Sequence, residues 1–293
     1  MNTRQPMRAG TFYEGSAPAL RQHAAALLQS ADAYLQAHPL PAPPRGGLVP
    51  HAGWAYSGAL AAATFKALHQ ASPLGSVVIL GADHTGSARC GEVYASGAWG
   101  TPLGNVSIDE DLADALCQGG SVLRANPHAH TYEHSIEVQV PLLLTLAPQV
   151  RIVPVMVPPE GVALEVGEVI ANVLSGWGRP VAVVASSDLT HHAGHFPAPG
   201  GRGQAGVRWT VKNDQRLLDL LKELAAEKIL AEVGARGNAC GGGAIAAAVV
   251  ACRKLGATQG LCLGYTNSYQ IVHDALPDDP DDTTVGYASV VFC

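Results

Sequence analysis

The 293-residue chain is 47% hydrophobic and 14% charged, which excludes a disordered protein and predicts a globular chain with a large buried core. Its formal net charge is −6, with no lysine/arginine cluster longer than two residues, which argues against nucleic-acid binding and against a polybasic membrane patch. The N-terminal "MNTRQPMRAGTFYEGSAP" lacks the apolar stretch of a signal peptide, and no run reaches the roughly 18 apolar residues of a membrane span.

In chain order, a helical pattern covers 17–36, and the Pro-rich stretch 37–47 carries the chain into a first core strand, "GGLVP" (46–50). A helix is predicted over 57–70, then a buried strand "SVVILGA" (76–82). Residues 106–118 read as a helix, with Ser107 and Glu110 spaced as a capping box. "EHSIEVQVPLLLTLA" (133–147) reads as an apolar-faced helix interrupted by Pro141. A strand over 150–157, a helix over 164–177 and a strand over 180–187 follow. Residues 195–206 are rich in Gly and Pro and read as a surface loop. A longer amphipathic helix is expected over 211–233 and a small-residue helix over 241–255, then strands over 261–269 and 285–293. Strands that are continuous apolar runs are buried on both faces. The expected fold class is therefore α/β: one domain over 1–293, with helices on both sides of a mostly parallel or mixed sheet.

Three of these strands run into a histidine. "GGLVPH" ends at His51, "SVVILGADH" at Asp83 and His84, and "PVAVVASSDLTHH" at Asp188, His191 and His192. Ligands of α/β sheets bind outside the carboxyl ends of the strands, so these groups are expected to converge on a metal or acid–base site. Each histidine alone would be explained by local hydrogen bonding; the repetition favours a site. In 128–143, Glu133 and His134 precede Glu137, three positions after His134. They serve either as helix-terminal capping groups or, with His134 and Glu137 turned into the crevice, as pocket groups.

The six cysteines, Cys90, Cys117, Cys240, Cys252, Cys262 and Cys293, show no CxxC spacing. Reduced thiols in a cytoplasmic protein are expected, five of them as small buried hydrophobes. Cys240 differs, because it stands before three glycines and a helix start, where a thiolate is favoured. "CGGGAI" lacks both GxxxxGK[ST] and GxGxxG, so it is not read as a phosphate loop. A serine hydrolase built on "ASSDLTHH" is disfavoured by the lack of a GxSxG elbow.

The tracts "MRAGTFYEGS", "LVPHAGWAYSG", "VVILGADHTG", "TPLGNVSID", "EHSIEVQVPLL", "SSDLTHH" and "ACGGGAI" resemble the MEMO family, called AmmeMemoRadiSam system protein B in prokaryotes. The match runs in order from about residue 7 to the C-terminus. The resemblance implies a three-layer α/β/α architecture similar to that of the LigB-like class III extradiol dioxygenases, which hold Fe(II) with two histidines and a carboxylate. It further implies His51 and His84 as metal ligands, with Cys240 where the dioxygenases have glutamate. Asp188 and His191 become pocket residues, His191 as the acid–base group, and Glu133, His134, Glu137, Asp83 and His192 lie around them. Two tracts depart from the commoner pattern: "GADHTG" has no proline before the small residue and histidine, and "THHAG" has a second histidine where an aromatic often stands. Either His191 or His192 can then face the pocket, and register favours His191.

A thiolate softens the site and favours iron, copper(I) or zinc over magnesium or calcium. The expectation is a cytoplasmic metal-binding protein, Fe(II) first with copper or zinc as alternatives, performing dioxygenase-like redox chemistry on a small-molecule substrate. The rival is a non-enzymatic module that holds a metal or peptide in the same pocket. The resemblance also implies work beside a radical-SAM protein and an AMMECR-type protein.

Overall fold

A computed structural model describes residues 2–293. Its strands are β1 (Thr3–Arg4), β2 (Gly46–Val49), β3 (Ser76–Ala82), β4 (Gly91–Val93), β5 (Ala98–Thr101), β6 (Gly104–Ser107), β7 (Leu123–Ala125), β8 (Arg151–Val157), β9 (Val181–Ser186), β10 (His191–His192), β11 (Gly260–Asn267) and β12 (Thr284–Phe292). Its α-helices are α1 (Ala17–Ala37), α2 (Trp54–Ala71), α3 (Glu110–Gln118), α4 (Val140–Leu146), α5 (Val162–Ser175), α6 (Gly203–Lys222), α7 (Ala226–Arg236), α8 (Gly242–Lys254) and α9 (Ser268–Ala275).

The main sheet runs β10-β12-β2-β9-β3-β8-β4-β7, with β11 also paired to β12. Its centre, β2-β9-β3-β8, is parallel, whereas β12 and β4 are antiparallel to their neighbours in that block. Two adjacent glycines show how tightly it is enclosed. A Cβ on Gly46 would fall 2.6 Å from Cys252 Sγ of α8, and one on Gly47 would fall 2.7 Å from Thr64 Cγ2 of α2. Successive residues of a strand face opposite sides, so α8 covers one face and α2 the other. The result is a three-layer α/β/α sandwich with a mixed sheet. Among the described residues no helix is long and apolar enough to cross a membrane.

Several local expectations give way to tertiary contacts. Ser107 does not cap α3. It lies in β6 opposite Ala98, Asp109 takes the N-cap position, and Glu110 instead accepts the Gly97 N–H at 2.8 Å. The helix expected from residue 133 begins only as a 3₁₀ turn at Glu137–Gln139 and becomes α4 at Val140, with Pro141 in its first turn, where a missing N–H is harmless. The long helix over 211–233 is two, α6 and α7, broken at Leu224, whose φ of 50° no helix accommodates. α6 also begins at Gly203, inside the expected loop. The strand expected over 261–269 stops at Asn267, whose side chain accepts the Gln270 N–H and starts α9.

Candidate metal centre

β2, β9 and β3 are parallel neighbours, so their carboxyl ends lie side by side. His51 follows β2, His84 follows β3, and Asp188 and His191 follow β9. Cys240 arrives from the opposite direction, before α8. It is fixed there by its N–H on the Asp188 carbonyl (3.2 Å) and by the Gly241 N–H on Ser187 Oγ (2.8 Å). Gly241 has no room for a side chain, since a Cβ would sit 2.9 Å from that of Ser187.

The tautomer of His51 follows from its neighbours. Ser186 Oγ donates its one proton to the Ser135 carbonyl (2.7 Å) and accepts from Gln139 Nε2 (3.0 Å). Its remaining lone pair faces His51 Nδ1 at 3.2 Å, so Nδ1 carries the proton. Nε2 is left with a free lone pair, 3.2 Å from Cys240 Sγ. Ser186 is thereby occupied as a tautomer-setting group, not poised as a nucleophile. Burial first, then the charges of His84 and His134, push the His51 pKa well down, which keeps the ring neutral and able to ligate.

His84 is set by Glu133. One carboxylate, 1% exposed, accepts from His84 Nδ1 at 3.0 Å and from the backbone N–H groups of His84 (3.0 Å), His134 (2.7 Å) and Ser135 (2.7 Å). Burial would raise the Glu133 pKa, but these bonds hold it far below the usual carboxylate range. Burial would likewise lower His84, yet Cys240 and Glu133 raise it to about 10. In the metal-free protein His84 is therefore an imidazolium between two acceptors, the place a metal cation would take over. His134 completes a group in which His51, His84 and His134 each bring one nitrogen within 4.8 Å of the others, close enough for one ion to be held among them.

The other expected residues divide by where their side chains point. Asp188 Oδ1 accepts the backbone N–H groups of His51 (2.7 Å) and Ala52 (3.2 Å). It therefore positions the His51 loop, and those bonds engage no imidazole; burial raises its pKa to about 7. The pKa of His191 falls to about 4 through burial, then through the charges of His84, His195 and His134, and its ring packs edge-on against Phe196 at 4.8 Å. Its Nε2 is buried without a partner. His192 instead lies over Trp209 and accepts the Gly200 N–H, away from the cluster, as alternation along a strand requires. Asp83 is turned to its own loop, where it accepts from Thr85, Ser87 and Ala88.

Glu137 does not enter the crevice either. It pairs with Arg4 at 2.8 Å and accepts the N–H groups of Met7 and Arg8 and the Tyr13 hydroxyl. Arg4 also donates to the carbonyls of His130 and Glu133 and lies over Trp99. The N-terminal segment is thus strapped to the segment carrying Glu133 and His134, and Phe12 sets its ring 5.2 Å from that of His134. No periodicity marked these contacts, because the segment is irregular and its partners lie more than a hundred residues away.

A family profile described as Memo-like protein matches residues 4–291. The chain belongs to the MEMO family. Similar relatives include a MEMO1 family protein of Thermococcus onnurineus, 32% identical over 298 residues and covering 99% of each chain. One from Methanothermobacter thermautotrophicus is 34% identical over 292 residues, covering 97% of this chain and 98% of the relative. Another from Methanopyrus kandleri is 36% identical over 252 residues, covering 84% and 82%. The residues described above lie within the matched span of this MEMO family chain.

His130, wholly buried behind the strap, gives a pH test. Burial lowers its pKa to about 4, below the 6.5 of an unfolded histidine. The folded state thus binds fewer protons, so the contribution is full above pH 6.5 and lost as pH falls through about 4. Between pH 7 and pH 5 this group should cost the parent about 2 kcal/mol. Urea unfolding at the two pH values should show a smaller loss in His130→Gln; an equal loss would place the titration elsewhere.

Proposed function

We propose that the chain holds a soft metal ion, Fe(II) first and copper or zinc as alternatives, on His51, His84 and Cys240, for dioxygenase-like redox chemistry on a small molecule. The observation that carries this is the His51 imidazole, proton held on Nδ1 and Nε2 free, 3.2 Å from the Cys240 sulfur. A carboxylate–histidine pair at His84 adds the arrangement that orients metal-bound imidazoles and raises their basicity. When bound, the metal supplies redox chemistry and Lewis acidity.

Cys240 is preferred to His134 as the third donor on ring geometry. The imidazoles of His84 and His134 are stacked, 17° from parallel with centroids 4.7 Å apart, whereas His51 stands at 88° to His84 and 83° to His134. A ligating lone pair lies in the ring plane, so two stacked rings do not aim at one ion. His134 instead lines the site, and His191, neutral and unpartnered at Nε2, is the group to take a proton from a substrate hydroxyl. The family resemblance supports a functional link to a radical-SAM protein and an AMMECR-type protein.

The test is anaerobic titration with Fe(II), and with Co(II) as a spectroscopic probe. About one equivalent should bind, with a sulfur-to-cobalt charge-transfer band. Cys240→Ala should lose that band and weaken binding by more than the roughly 10- to 100-fold typical of losing an outer partner, while His134→Ala should keep the band. If His134→Ala abolishes binding and Cys240→Ala does not, the thiolate assignment fails. Parental affinity in both variants and in His51→Ala/His84→Ala would remove the metal reading.

A further inference from the structure

The Arg8 side chain approaches this centre through Phe12 and has no polar partner among the described residues. Among the described residues it makes no ion pair and no side-chain hydrogen bond, and its Nε is buried with nothing to accept from it. Other arginines that bury part of the guanidinium, such as Arg4, are paired. Buried donors are almost always satisfied, so an orphaned charged one marks a place where something else binds.

The residue is also held in place. Its backbone N–H donates to Glu137 Oε1 at 2.6 Å, and its carbonyl accepts from the N–H groups of Thr11 and Phe12. Its guanidinium carbon lies 5.1 Å from the Phe12 ring centroid, and that ring is edge-on to His134. The Phe12 carbonyl in turn accepts the Trp54 N–H, three residues beyond His51. Arg8 thus rests, partly buried, on Phe12, whose ring meets His134 and whose carbonyl holds Trp54 after the His51 loop, and its side-chain donors have no protein partner among the described residues.

We propose that Arg8 receives an oxyanion at the mouth of the metal centre, so that the small molecule taken there carries a carboxylate or phosphate group. Guanidinium donors match the two oxygens of a carboxylate or phosphate, and the bond to a charged acceptor is the strong kind. The position of Arg8 relative to the reacting centre rests on the metal reading; its capacity to bind an anion does not.

The experiment uses the full-length, metal-free, ¹⁵N-labelled protein, titrated separately with inorganic phosphate and with acetate against chloride at constant ionic strength. The Arg8 Nε–H resonance, assigned by its loss in Arg8→Lys, should shift saturably with phosphate, acetate or both; which anion acts separates the two sources. Followed in parent and variant alike on the backbone N–H resonances of Thr11 and Phe12, Arg8→Gln should weaken that anion roughly tenfold or more, the loss expected for a charge-assisted hydrogen bond, while its Co(II) stoichiometry stays parental. Equal affinity in Arg8→Gln, or no saturable shift with either anion, overturns the proposal. Loss of Co(II) binding in the parent with the Arg8 response intact would instead remove the metal reading alone.

Discussion

Replacing Glu133 by alanine is expected to weaken Fe(II) binding by roughly 10- to 100-fold and to destabilise the metal-free protein by roughly 3–5 kcal/mol. Both effects have one cause. The carboxylate is the shared acceptor for His84 Nδ1 and for three backbone N–H groups. Without it, a charged imidazole and several amides lose their partner together, and His84 loses the bond that turns its Nε2 toward the centre. Glu133→Gln should not rescue, because the amide has one acceptor oxygen and presents an NH₂ to groups that are themselves donors. The depressed pKa of Glu133 gives the pH sign: its contribution is present above the unfolded carboxylate range and lost as pH falls through the lower folded value. Urea unfolding and Fe(II) titration of the two variants measure the two effects. A folded Glu133→Ala that binds iron at parental affinity would show that His84 is not a ligand oriented in this way.

His191→Ala should keep the metal and lower turnover by roughly 10²- to 10⁴-fold, the contribution of a positioned acid–base group, while His192→Ala should leave turnover near parental. The contrast rests on alternation along β10: His192 lies over Trp209 and accepts the Gly200 N–H, whereas His191 faces the other side and packs on Phe196. An unperturbed histidine titrates at about pH 6.5. Burial instead lowers His191 to about 4, so at neutral pH the ring is a ready base. The acid limb of activity should then fall near pH 4, as the ring gains its proton, and not near 6.5. The readout is substrate-dependent oxygen consumption by iron-loaded protein, with metal content measured on the same samples. Full activity in His191→Ala, or a comparable loss in His192→Ala, would end the assignment.

The central strands were legible because continuous apolar runs such as "SVVILGA" and "PVAVVASS" have no other stable use in a charge-poor chain. The histidines at their ends were legible for the same reason: once the strands are parallel neighbours, their carboxyl ends share one edge. What stayed hidden depends on partners distant in sequence. β1, β4 and β7 are two or three residues long, too short for any period to register. Glu133, His134 and Glu137 were grouped by helical spacing, but the segment is irregular at Glu133 and His134. Glu137 is drawn away by Arg4 and Tyr13, while Glu133 and His134 stay with the centre. Gln139 and Ser186, which fix the His51 tautomer, carried no signal, since polar residues beside a strand end have many possible uses. Arg8 was part of a quoted tract but had no chemistry of its own until Phe12 and His134 were placed around it.

The position of β12 bears on how the protein is made. This strand, from residues 284–292, pairs with β2, from residues 46–49, so a central seam of the sheet joins segments more than two hundred residues apart. Ordering such a seam requires closing a long loop before any contact rewards it, which slows folding. During synthesis β2 therefore waits with one edge unpaired until residues 290–292 arrive. A nascent chain stalled before residue 284 should thus present that open β2 edge, and should associate with other copies of itself more readily than the finished fold does.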